Sequence, residues 1–176
     1  IALITRENFY PDYSALPAIA RRLGLTSSAP IRERHRVAAL YEFSALERVR
    51  TEPGPKFVLA HLLMPHPPYV FTADGRFIAD DTPGGGVSFA TQLAYTNERL
   101  KTIIEPLLAL PEAERPIIIV QADEGPYPSR YARDTVAFDW STATADELEA
   151  KFGILNAMYL PGLDAGVQVV LDLVGI

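Results

Sequence analysis

The chain has 176 residues, 48% hydrophobic and 22% charged, a globular balance long enough to bury a core within one domain. A formal charge of −6 counts against nucleic acid and anionic membrane surfaces as partners, and the absence of cysteine excludes disulfides, thiolate metal sites and a cysteine nucleophile. No apolar run reaches the roughly 18–20 residues that cross a bilayer, and with Ile1 as first residue a signal peptide or anchor upstream would be invisible in this sequence.

Residues 1–5 (IALIT) read as a short strand and 6–13 as a loop. Ser14 then precedes residues 15–24 (ALPAIARRLG), a helix with Pro17 in its first turn, two arginines near its end and a glycine stop. Residues 31–49 place Val37, Leu40, Tyr41, Phe43 and Leu46 among charges, which predicts an amphipathic helix ended by Thr51-Glu52-Pro53-Gly54-Pro55. Residues 56–64 (KFVLAHLLM) are almost uninterruptedly apolar, as in a central strand covered on both faces, and Pro65-His66-Pro67-Pro68 cannot continue it. Ala73-Asp74-Gly75-Arg76 is a turn signal, and a triple glycine follows at 84–86.

From 89 to 110 the spacing of Leu93, Thr96 or Asn97, Leu100, Ile103, Ile104 and Leu107 is helical, with Pro106 expected to kink the helix or end it a turn early. Residues 117–122 (IIIVQA) predict a second apolar strand. Residues 129–149 read mostly as loop, with Thr144-Ala145-Asp146-Glu147 a helix-cap signal. Residues 152–160 (FGILNAMYL) predict a third strand stopped by Pro161-Gly162, and 167–174 fit either a helix or a strand. This alternation is the rhythm of a parallel sheet with crossover helices, whose ligands gather at the carboxyl ends of the strands. His66, Asp123 and Glu124 all lie just past such an end.

Carboxylates beside a water-poor sheet need a cation, a positive side chain or backbone N–H groups. Asp123 and Glu124 therefore admit two readings: ligands for a hard divalent metal such as Mg²⁺, Mn²⁺ or Ca²⁺, or a solvated Asp-Glu-Gly turn with Gly125 at positive φ. His66 is held among three prolines, which suits presentation to an anion or a metal, or is an incidental histidine on a rigid loop. His61 reads as a hydrogen-bonded core histidine and His35 as part of a solvated helix face. Walker-type phosphate loops, a nucleophile elbow, a His-Glu-x-x-His zinc motif and aromatic residues interleaved with basic ones are all missing from the sequence.

Lys56-Phe57-Val58-Leu59-Ala60-His61, followed by Pro65-His66-Pro67-Pro68-Tyr69-Val70-Phe71 and Asp74-Gly75, resembles a segment of sulfatase-like proteins of the alkaline phosphatase superfamily, among them relatives of lipoteichoic acid synthase. Three further segments are similar, in the same order: Gln92 with Tyr95-Thr96-Asn97-Glu98-Arg99-Leu100, then residues 117–125, then Lys151-Phe152-Gly153-Ile154-Leu155-Asn156-Ala157 with Tyr159-Leu160-Pro161-Gly162. The resemblance runs from about Arg34 to Gly162.

It implies a three-layer α/β/α sandwich with a mainly parallel sheet, residues 1–176 forming one sulfatase-like domain or its C-terminal portion. It also implies metal-assisted cleavage or transfer at a phosphate or sulfate ester, lipid- or glycan-linked esters included, on the extracytoplasmic face of a membrane reached only through segments outside this chain. Asp123 falls on a metal-ligand position and His66 near the substrate anion. Glu124 stands where relatives carry a second metal-binding residue, a histidine, and adds negative charge there. Residues 1–33 contain Thr5, Ser14, Thr26, Ser27 and Ser28 but no segment similar to the one bearing the family's nucleophile and first acidic ligand. The expectation is a chain inactive on its own, the alternative being a non-catalytic binding or scaffold domain on a degenerate sulfatase fold.

Overall fold

The computed structural model describes residues 2–4, 31–79, 86–128, 130–131 and 139–163. Contacts divide the chain into two compact units, Ile1–Leu108 and Ala109–Ile176. The helix expected at 15–24, the triple glycine up to Gly85 and the ambiguous segment 167–174 lie outside the described residues.

In the first unit, strand β1 (Ala2–Ile4) pairs in parallel with β2 (Val58–Ala60), Leu3 opposite Leu59. Helix α1 (Ile31–Val49) and helix α2 (Phe89–Leu108) complete it. α1 contains neither glycine nor proline, and it spans the range its periodicity predicts. Its inner stripe is not the one the apolar residues suggest: Phe43 and Leu46 face the core, whereas Val37, Leu40 and Tyr41 are exposed. Arg32, His35 and Glu42 are buried instead. His35 is thus an interior residue rather than part of a solvated face. α2 ends two residues after Pro106, whose ring removes one helical N–H in the last turn.

The core of this unit joins Ala39 and Phe43 of α1, Met64, Val70 and Phe71 of the connecting loop, and Ile103 of α2, with Tyr95 packed against them. Tyr95 lies 4.5 Å from the Phe71 ring and meets Phe43 edge-on at 6.2 Å. Burying each of the two phenylalanine side chains contributes about 2–3 kcal/mol. The predicted strand at 56–64 is shortened to the three residues that β1 pairs, and it is not covered on both faces: Phe57 is 64% and Leu59 54% exposed. Beyond Ala60 the chain leaves strand geometry, so strand alternation no longer decides which way its side chains face. His61 accordingly sits at the surface and not in the core, while Met64 turns inward.

In the second unit, β3 (Ile118–Gln121) and β4 (Asn156–Tyr159) form an antiparallel pair with Val120 opposite Ala157. Between them lie a 3₁₀ turn at Trp140–Thr142 and helix α3 (Ala145–Phe152). The expected cap is present. The Thr144 side chain accepts the Glu147 N–H, and the Glu147 carboxylate accepts the Thr144 N–H at 2.9 Å, a reciprocal capping box. Helix α3 takes in Phe152, so the predicted third strand begins only at Asn156. Val120 is half-buried and Ala157 buried on one face of the pair, whereas Ile117 (64% exposed) and Ile119 (55%) lie open on the other. Among the described residues the content is mixed α/β, with one parallel and one antiparallel two-stranded sheet.

Candidate functional site

The loop after β2 owes its shape to one side chain. Three prolines leave carbonyls without neighbouring N–H groups, and the two peptide bonds Met64–Pro65 and Pro67–Pro68 are cis. Gln92, on the first turn of α2 and wholly buried, supplies what the prolines withhold. Its amide NH₂ donates to the carbonyls of Pro65 (3.1 Å), His66 (3.0 Å) and Pro68 (3.4 Å). Its Oε1 accepts the N–H groups of Val70 (2.7 Å) and Phe71 (3.3 Å). From the other side, Arg32 of α1 donates to the carbonyls of Tyr69 (2.6 Å) and Ile78 (3.1 Å). The loop closes in the expected turn: Gly75 takes φ +81°, its N–H bonds Thr72 O at 2.9 Å, and Asp74 accepts the Thr72 hydroxyl. That hydroxyl holds the Asp74 carboxyl below the usual carboxylate range.

His66 is presented by this frame and is exposed. Its N–H donates to Leu63 O at 2.7 Å, and its Nδ1 lies 2.7 Å from Pro67 O. A carbonyl only accepts, so Nδ1 carries a proton and Nε2 is the nitrogen left for a ligand. Toward an anion Nε2 acts as a donor only when the ring is an imidazolium.

Asp123 and Glu124 lie in the second unit, at the end of β3 as predicted, both exposed. Asp123 Oδ1 accepts the Glu124 N–H at 2.9 Å, a local turn bond that leaves its other oxygen open. Glu124 has a cation already. Its Oε2 is 2.6 Å from Nζ of Lys151, a residue of the last turn of α3 that is only 3% exposed. The same ammonium donates to Gly125 O at 3.1 Å and stands 3.3 Å above the centre of the Tyr127 ring. A buried lysine requires such a set of partners. A divalent ion on Oε2 would share it with this ammonium, and one on Oε1 would stand beside the same fixed positive charge, so the corner as built favours the lysine over a metal.

Gly125 is explained by space, not by a left-handed backbone. A Cβ there would lie 1.8 Å from Ala150 O, and the Gly125 N–H donates to Lys151 O at 2.8 Å. The chain after β3 is thereby laid against the end of α3. Arg130 grips Glu147 through Nε (2.7 Å) and Nη2 (2.6 Å). With the Thr144 N–H this fork lowers the Glu147 carboxyl to about 2. Among the described residues, no group of three or more His, Asp or Glu side chains stands close enough to hold a metal, and no helix is long and apolar enough to cross a membrane.

Comparison with protein-family models, with curated proteins and with solved structures finds no match for this chain. Gln92 and Lys151, which organise these sites, stand in segments that carry the family resemblance, but the sequence assigns neither a role: that of Gln92 depends on a proline run more than twenty residues away and that of Lys151 on the chain after β3.

Proposed function

We propose that this chain is part of a sulfatase-like α/β/α domain with a mainly parallel sheet, and that it recognises a phosphate or sulfate ester through His66 without turning it over alone. The observation that carries the reading is the His66 loop: an exposed imidazole with Nδ1 engaged by Pro67 O, on a backbone held by five hydrogen bonds to buried Gln92. Such a frame reduces the entropy lost when an anion is bound. The sequence resemblance supports the ester class, lipid- or glycan-linked esters included, and an extracytoplasmic setting with membrane attachment through segments outside this chain.

The second reading is catalytic: metal-assisted cleavage or transfer at the same ester, with Asp123 and Glu124 as ligands of Mg²⁺, Mn²⁺ or Ca²⁺. The open second oxygen of Asp123 favours it; the ion pair of Glu124 with Lys151 favours the binding role. The test is a titration with phenyl sulfate, following the backbone amide signals of His66, Tyr69, Val70 and Phe71 by NMR. A saturable shift, lost in His66→Ala, is expected; signals that do not move at saturating ester would refute the reading.

A further inference from the structure

We infer that the Lys151 ammonium is the resident cation of the β3 corner, holding Glu124 and the chain after β3 in place of a metal. Three observations converge on Nζ. Two oxygens, Glu124 Oε2 at 2.6 Å and Gly125 O at 3.1 Å, and the face of Tyr127 at 3.3 Å surround one point, and a positive charge occupies it. The lysine is buried although the glutamate is half-exposed, so the charge reaches the corner from the protein side and not from solvent. The backbone joins the same corner, since the Gly125 N–H bonds Lys151 O and only glycine fits against Ala150 O. Ammonium, carboxylate and the two backbone strands form one closed unit that ties the end of β3 to the end of α3.

A lysine in this role differs from a metal in ways that can be measured. Its charge is part of the chain, so chelators remove nothing, and one of its donors is already engaged by Gly125 O. Mn²⁺ approaching Glu124 meets a fixed positive charge 2.6 Å from one of its two carboxylate oxygens. The inference concerns a different unit from the His66 loop and is read by different signals, so either can fail alone.

The chain has three lysines, Lys56, Lys101 and Lys151, and the first two are exposed and serve as internal references. Competitive acetylation of the intact chain, read by mass spectrometry, should label Lys151 at least about tenfold more slowly than either. In Glu124→Gln, which keeps the shape and removes the charge, the Lys151 rate should rise several-fold while the reference rates stay fixed. Equal rates for all three lysines in the unsubstituted chain, or no change in Glu124→Gln, would overturn the inference. Mn²⁺ added to the ¹⁵N-labelled chain gives an independent reading that needs no variant. No broadening of the Glu124 and Gly125 amides that saturates at one equivalent is expected; saturating, selective broadening of those two signals would overturn it.

Discussion

Gly125 and the Ala150 carbonyl approach so closely that a methyl group on the glycine would sit 1.8 Å from the carbonyl oxygen. Backbone, not a movable side chain, provides the obstacle, so Gly125→Ala must push the end of β3 away from α3. Overpacking of this kind costs about 3 kcal/mol. Urea unfolding of Gly125→Ala should show that loss. A midpoint equal to that of the unsubstituted chain would mean that the two segments do not meet as described.

Gln92 should be equally intolerant of change. Gln92→Met keeps the length and removes every hydrogen bond, leaving the buried Val70 N–H and three loop carbonyls to find other partners. An unsatisfied buried donor costs on the order of 1–3 kcal/mol. We expect about 3 kcal/mol in denaturant unfolding, together with lost amide protection at Val70. Unchanged protection there would show that the loop holds itself.

Acid should weaken the start of α3 in a defined window. The Arg130 fork lowers the Glu147 carboxyl from its ordinary 4.5 to about 2. A carboxyl lowered by folding stabilises the folded state fully above its unfolded value and loses that contribution as pH falls through the folded value. The stability difference between the unsubstituted chain and Glu147→Gln should therefore be constant above about 4.5 and shrink toward about 2. A difference independent of pH across that window would contradict the assignment.

These residues also show what the sequence disclosed and what it concealed. α1 and the Thr144 cap were legible because helix periodicity and capping are local rules, satisfied within a few residues. The β3 end was legible for the same reason, as an apolar run that stops at two carboxylates. The direction of β4 against β3 was not, since antiparallel pairing is decided by the path of the chain between them and not by either strand's pattern. The burial of Arg32 and His35 on the inner face of α1 was hidden too. Arg32 packs there because its guanidinium serves carbonyls some forty residues away, which helix periodicity cannot register. One of the two readings of Asp123-Glu124-Gly125 puts Gly125 in a turn at positive φ, and the reason for the glycine lies instead in another segment, at Ala150.

Turnover tests the central claim, that the isolated chain binds an ester and does not cleave it. The chain is incubated with Mg²⁺, Mn²⁺ or Ca²⁺ and either p-nitrophenyl sulfate or bis(p-nitrophenyl) phosphate, and release of p-nitrophenolate is followed. Release no faster than in the metal-only control is expected. Metal-dependent release that Asp123→Asn abolishes would contradict the account and establish the strand-end carboxylates as a catalytic metal site.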